Sequence, residues 1–323
     1  MMDPRSYHWD VTSMQKCTFD AISKNFESLV HYEGIDIPVL YSRGMNDVLV
    51  VIFHGATDQD KRPYPFFQTL GPSVAGEHRL SIADPTLSVD KNLVAGWYCG
   101  HHNLELQKIL PRFFEDLKKS LGIKRIVFTG GSSGGFAALF YSFHVSDSAA
   151  LALSPQTNLD NYLPSAVGSY AKCCWPETDD ESKLSSKITT DLRTIYAQKM
   201  DNLAIILNSS GDWTHVNTQS APLLAAVDAK DHQTIILQAK WHGVPSHSGS
   251  VPYTEAAPWI MTLCNTDAWD AASVLASYTS YAPVQSARTA TQRDEKKSNA
   301  ASYSKADIGK AKLISDWILN GEQ

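Results

Sequence analysis

The sequence predicts an α/β protein built on a mostly parallel sheet, and three observations predict it. Short apolar runs of strand length alternate with helix-length amphipathic stretches along most of the 323 residues, the pattern of strands joined by crossover helices. One of those runs, Asp47 to Phe53 (DVLVVIF), is continuous and β-branched, as a strand buried on both faces must be. Another, Arg125-Ile126-Val127-Phe128, leads through Gly130-Gly131-Ser132-Ser133-Gly134-Gly135 into the small apolar helix start Phe136-Ala137-Ala138-Leu139-Phe140.

Residues 1 to 24 carry no clear signal. Phe26 to Tyr32 and Ile35 to Tyr41 read as a hairpin turning at Glu33-Gly34. The strand at 47–53 ends in His54-Gly55-Ala56-Thr57, followed by a loop holding Arg62, Tyr64, Phe66 and Phe67. Leu80 to Ala83 is a weaker strand, and the loop from Thr86 to His102 carries Trp97, Tyr98, Cys99, His101 and His102. Leu104 to Leu121 is an amphipathic helix with Pro111 inside it and Gly122 at its C-terminal stop. After strand 125–128 and its helix come a buried strand at Ala149–Leu153 and a polar insertion over 154–201 with one short helix, Leu192–Gln198. Strands at Leu203–Leu207 and Thr234–Leu237 flank a helix near Gln219–Val227, and Thr254–Leu263 is a further helix. Residues 265–303 turn rich in Ser, Thr and Ala. Arg293-Asp294-Glu295-Lys296-Lys297 reads as a solvated linker, and Ser304 caps a last helix through Ile308, Leu313, Ile314, Trp317 and Ile318. The expected organisation is a main domain over 1–265 and a helical extension over 266–323.

Composition narrows the function. A hydrophobic content of 43%, a charged content of 19% and a net charge of −6 suit a globular enzyme and offer no footprint for nucleic acid or an anionic membrane. No apolar run approaches a membrane span. The start MMDPRSYHWDVTSMQK lacks the apolar stretch of a secretion signal. Five cysteines, two of them adjacent, make a poor disulfide framework, and neither C-x-x-C nor H-x-x-x-H metal spacing occurs. Reduced thiols in a cytoplasmic, metal-free protein are expected; a mature secreted form is compatible with the same residues.

The chemistry concentrates after the strands, where open parallel sheets carry their sites. Gly131-Ser132-Ser133-Gly134-Gly135 fits G-x-S-x-G. A serine on a sharp strand-to-helix turn needs glycines two residues to either side, because side chains there would collide with the neighbouring backbone. In that register Ser133 is the nucleophile and the Gly134 amide faces the developing oxyanion. A phosphate-cradling loop is the bland alternative, but no Lys-Ser/Thr pair follows the glycines and no G-x-G-x-x-G spacing is present. In this architecture the loop after the central strand supplies a second oxyanion donor, here the Ala56 amide. A serine needs a base and the base an orienting acid. Asp212 follows the LAIIL strand and is favoured as the acid over Asp160. His247 and His242 both follow the TIIL strand; His247, among small residues, is favoured as the base.

H-G-A after the central strand, G-S-S-G-G after the next long one, and the later Asp and His together resemble the α/β-hydrolase superfamily over residues 26–264. The resemblance implies a mostly parallel eight-stranded sheet, a Ser-His-Asp triad and no cofactor, with the 154–201 insertion where such proteins carry a cap. Its substrate would be a small-molecule ester or acyl compound. Acyl transfer, thioester cleavage and peptide cleavage use the same triad, and a non-catalytic binding module on the same fold is the reading of a different class. Tyr64, Phe66, Phe67, Trp97, Tyr98 and Trp213 are candidate linings of an apolar acyl pocket.

Overall fold

A computed structural model describes residues 10–18, 21–22, 27–177, 181–198, 201–227, 235–241, 247 and 251–278. Its centre is one nine-stranded sheet in the order β1-β2-β3-β5-β4-β6-β7-β8-β9. The strands are β1 (Lys16–Thr18), β2 (Glu27–Tyr32), β3 (Ile35–Ser42), β4 (Val48–Phe53), β5 (His78–Ile82), β6 (Arg125–Gly131), β7 (Ser148–Leu153), β8 (Leu203–Ser209) and β9 (Ile235–Lys240). The β2–β3 and β3–β5 pairs are antiparallel; β5, β4, β6, β7, β8 and β9 run parallel. Eight strands match the expected ones. The ninth, β1, is three residues long and pairs with β2 from the segment that carried no signal.

The continuous apolar runs are continuous because both faces of the sheet are covered. All six residues of β4 are buried. Leu49, Val51 and Phe53 enter one core with Phe114 of α1 (Leu106–Leu121) and Phe136 and Tyr141 of α2 (Ser133–His144). Val48, Val50 and Ile52 enter the opposite core with Trp259 and Ile260 of α7 (Ala256–Cys264). Truncating a fully buried aromatic such as Phe53 would cost about 3–5 kcal/mol. Gly122, at φ 67°, ends α1 in the left-handed cap its position foretold.

Within 154–201 lie α3 (Pro164–Cys174) and the single turn α4 (Arg193–Tyr196). No sign of α3 is legible in the residues alone: PSAVGSYAKCC has an internal glycine and no clean apolar period. Val167, Tyr170 and Cys174 anchor it in the core, and the Tyr170 hydroxyl donates to Gly100 O at 2.9 Å. Next in the chain, α5 (Trp213–His215) runs through a π-turn at Val216–Ser220 into α6 (Ala221–Ala226). Residues 271–278 are helical; Val274 is buried, and Tyr278 stacks on Trp259 with ring centroids 3.8 Å apart. The expected linker and last helix lie outside the described residues. Among the described residues all five cysteines are free, and no helix is long and apolar enough to cross a membrane.

Candidate active site

The turn between β6 and α2 sits at the carboxyl end of the central strands, and its apex is Ser132. This residue has φ 55° and ψ −115°, a conformation that costs an L-residue about 1–3 kcal/mol. The surrounding backbone over-determines it. Ser132 N–H donates to Leu153 O at 3.0 Å, and Ser132 O accepts from Gly135 N, Phe136 N and Gln156 N at 3.0, 3.2 and 3.2 Å. The glycines that permit the turn are Gly130 and Gly134. A Cβ added to Gly130 would lie 2.6 Å from Gly134 C and O, and one added to Gly134 would lie 2.6 Å from His54 O. At Gly131 the nearest atom would be the Tyr253 hydroxyl at 3.2 Å, and at Gly135 Pro155 Cβ and Cα at 2.8 and 2.9 Å.

Gly130-Gly131-Ser132-Ser133-Gly134 also fits G-x-S-x-G, and the interlocking pair in the structure belongs to that register. Ser133 is not at the apex. It is the first residue of α2, 3% exposed, whereas Ser132 is partly exposed. The two registers differ by one residue and by which hydroxyl meets solvent.

The loop after β4 lies against this turn. A Cβ on Gly55 would be 3.0 Å from Gly131 O and 3.8 Å from the Ser132 Cβ, so only a glycine lets the two backbones approach so closely. Ala56 is exposed beside it, while the Thr57 N–H is committed to Val94 O at 2.8 Å. His54 is structural. It is buried, its Nδ1 lies 2.7 Å from Gly55 O, and its Nε2 accepts from Asp84 N at 3.2 Å. Burial pushes its pKa down to about 4.

Asp212 follows β8, is 1% exposed, and caps the short α5. Its two oxygens hold two imidazoles: Oδ2 faces His247 Nδ1 at 2.7 Å and Oδ1 faces His215 Nδ1 at 3.1 Å. Burial alone would raise the carboxyl pKa. Hydrogen bonds from both histidines outweigh it, so Asp212 sits well below the usual carboxylate range and stays ionised. The structure thus brings Asp212 and His247 together as expected and adds His215, which the sequence analysis missed although it stands three residues after Asp212. His242 lies outside the described residues. Asp160 is exposed, and its N–H donates to Asn158 Oδ1 in a turn.

His215 and His247 stack face to face, with ring centroids 4.1 Å apart and planes at 14°. Asp212, His215 and His247 are residue types that hold metals, and their donor atoms lie within 4.8 Å of one another. A metal binds imidazole in the ring plane at about 2.0–2.1 Å, and parallel stacked rings aim their lone pairs side by side rather than at one point. The cluster fits a hydrogen-bonded pair on a carboxylate.

The aromatic candidates divide. Trp97, Tyr98 and Phe67 are core residues, Phe66 packs on the His54 ring, and Trp213 is 56% exposed. Of these, Trp97 reaches the Ser132 turn through Gln156, to which it donates from Nε1 at 2.5 Å.

No protein-family model matches the chain, and no curated protein matches it in sequence. Solved structures do. The capsule O-acetyltransferase of Neisseria meningitidis serogroup A aligns with a TM-score of 0.53 at 14% identity, covering 69% of this chain and 91% of that one. A variant of the same enzyme in complex with CoA aligns equally well. The 2,6-dihydroxy-pseudo-oxynicotine hydrolase aligns with a TM-score of 0.50 at 16% identity, over 72% and 66% of the two chains. The chain has the α/β-hydrolase fold, and the structures it resembles are those of enzymes that transfer or hydrolyse.

Proposed function

We propose that the protein is a serine hydrolase that cleaves a carboxylic ester through an acyl-serine intermediate, with Ser132 as nucleophile, His247 as base and Asp212 as the acid that orients it. The observation that carries this reading is the strained Ser132 at the apex of interlocked Gly130 and Gly134. Non-glycine residues held in such strained backbone cluster at active sites. Ser133 keeps a role through its backbone: the amide after the nucleophile is the oxyanion donor, in place of Gly134. The His54-Gly55-Ala56 loop supplies the second, from the Ala56 amide.

In the reaction Ser132 Oγ attacks the ester carbonyl carbon while its proton passes to His247 Nε2. Asp212 Oδ2 holds the Nδ1–H of that ring, which keeps the lone pair on Nε2 and stabilises the imidazolium. The carbonyl oxygen becomes an oxyanion facing the two amides. Its collapse breaks the bond to the alcohol, which leaves with the proton from His247. Water then attacks the acyl-serine, gives a proton to His247, and the carboxylic acid departs as Ser132 Oγ takes that proton back.

The test is turnover of p-nitrophenyl acetate by the wild type and by Ser132→Ala. The wild type should show a burst of p-nitrophenol from acylation, and Ser132→Ala should lose turnover by at least ~10³-fold. A folded wild type that neither turns over activated esters nor reacts with a fluorophosphonate would point to a non-catalytic binding module on this fold.

A further inference from the structure

Gln156 stands at the nucleophile without a part in the triad. We infer that Gln156, fixed by Trp97, is a further catalytic residue that holds the Ser132 hydroxyl and turns its proton toward the base; the inference rests on Ser132 being the nucleophile. Gln156 lies three residues past β7 and is fully buried. Its Nε2 donates to Ser132 Oγ at 2.9 Å, and its backbone N–H donates to Ser132 O at 3.2 Å. Its Oε1 accepts from Trp97 Nε1 at 2.5 Å. An indole nitrogen can only donate, so the atom facing Trp97 is the amide oxygen and the atoms facing Ser132 are the amide hydrogens. The polarity of the contact is therefore set by the chemistry of Trp97, not by a choice between two similar amide orientations.

A hydroxyl has one hydrogen and two lone pairs. With one lone pair taken by the Gln156 N–H, the Ser132 hydrogen cannot point at Gln156 and is left for a base on the other side. The same donor serves twice in the chemistry. It fixes Oγ before attack, and it faces Oγ again when that oxygen leaves the acyl group with alkoxide character. A neutral amide does this without adding charge to the site.

Trp97 is built to hold that amide. Trp97 and Tyr98 are consecutive non-glycine residues with φ of 50° and 58°, each disfavoured for an L-residue. The turn is pinned by buried partners: Tyr98 N–H donates to Asp84 Oδ2 at 2.9 Å, the Tyr98 hydroxyl donates to Ile82 O at 2.9 Å, and Tyr141 donates to Tyr98 O at 2.6 Å. The Tyr98 hydroxyl oxygen also accepts from His54 N–H at 2.9 Å, tying the turn to the His54-Gly55-Ala56 loop. Trp97 is itself 1% exposed and wedged edge-on against Tyr170. A ring needed only for packing requires neither the left-handed backbone nor an N–H aimed at the amide that touches the reacting oxygen.

Three variants test the inference, with p-nitrophenyl acetate as substrate, a fluorophosphonate as probe of the serine, and thermal melts as the check on folding. Gln156→Met keeps the length and removes the donor. Gln156→Glu keeps an acceptor for Trp97 but faces Ser132 with a second acceptor, which draws the hydroxyl proton away from the base. Trp97→Phe removes the indole N–H together with part of the buried ring, which the thermal melt monitors. Loss of one hydrogen bond of ordinary strength corresponds to about a ten-fold effect. Gln156→Met should lose about ten-fold in kcat and in labelling rate with KM within two-fold. Gln156→Glu should fall below Gln156→Met, and Trp97→Phe should fall between the wild type and Gln156→Met. A merely structural glutamine predicts that the glutamate, which is closer in shape, outperforms the methionine, and that result overturns the inference. So does a kcat within two-fold of wild type for Gln156→Met, or a loss confined to KM. Should Gln156→Met fail to fold, the order of Gln156→Glu and Trp97→Phe decides, with Trp97→Phe expected to be the more active. Ser132→Ala inactive beside an unaffected Gln156→Met sinks this inference alone; Ser132→Ala fully active sinks the nucleophile reading as well.

Discussion

Replacing Asp212 by asparagine changes one atom of the site and should silence it by reversing a tautomer. The carboxylate accepts on both oxygens, from His247 Nδ1 at 2.7 Å on Oδ2 and from His215 Nδ1 at 3.1 Å on Oδ1. Asparagine offers one oxygen and one NH2 group. The backbone N–H of His215, which can only donate, also faces Oδ1 at 3.4 Å, so the amide oxygen keeps that position and the NH2 group faces His247. His247 must then present a lone pair at Nδ1 and carry its proton on Nε2, where it cannot accept the serine proton. A wrong tautomer in a triad costs roughly 10⁴-fold in kcat. The charge-assisted hydrogen bond to His247 is worth about 1.5–3 kcal/mol, so the variant should also melt at a lower temperature while remaining folded. The assay is kcat on p-nitrophenyl acetate beside a thermal melt. A folded Asp212→Asn variant within ten-fold of wild type would refute the tautomer argument and the place of Asp212 in the triad.

His247→Ala should lose at least ~10³-fold in kcat, comparable to loss of the serine, because triad members act as a unit; His215→Phe, which keeps the stacked ring and loses one bond to Asp212, should lose only about ten-fold. Gly130→Ala should destabilise the protein by at least about 1–3 kcal/mol, since the new methyl would meet Gly134 backbone at 2.6 Å and Phe53 O at 2.8 Å; an unchanged urea midpoint would remove the steric case for the elbow. A pH effect on stability follows from buried His54 and Asp84. Burial lowers His54 to about 4, below its unfolded value near 6.5, so its share of stability is full above ~6.5 and is lost as pH falls toward 4. Burial raises Asp84 to about 6, above its unfolded value near 3.9, so its share is full below ~4 and is lost as pH rises through 6. Each is worth ~3 kcal/mol by the linkage relation, with opposite sign. Between pH 4 and 6 the wild type should therefore show little slope from this pair. His54→Gln should lose stability as pH rises across that window and Asp84→Asn should gain it; parallel urea midpoints for all three proteins would contradict the assignment.

The strands most legible in the sequence were those buried on both sides. β4, β7 and β8 are buried throughout, and apolar but for Ser148 at the start of β7 and Asn208 and Ser209 at the end of β8. β5 begins two residues before its apolar run, at His78 and Arg79, because Arg79 is buried against Glu77. A long-range burial of that kind leaves no periodic trace. The same is true of α3, held by contacts of Tyr170 and Cys174 with distant residues rather than by its own apolar stripe. In the candidate site, the pairing of Asp212 with His247 was legible because both follow strand ends. The residue at the apex of the turn was legible only to within one position. Four glycines around two serines satisfy G-x-S-x-G twice, and which glycine pair must interlock depends on how close β6 comes to the start of α2. Gln156 and Trp97 were not legible as partners, since 59 residues separate them and neither lies in a motif.

The most direct test of the proposed chemistry is to locate the nucleophile. The intact protein is reacted with a fluorophosphonate, digested, and the modified residue is assigned by fragmentation mass spectrometry, with Ser132→Ala and Ser133→Ala run in parallel. The strained apex predicts the adduct on Ser132, no adduct in Ser132→Ala, and an adduct in Ser133→Ala, whose side chain is buried in the first turn of α2. An adduct on Ser133, or on neither serine of a folded protein, would contradict it.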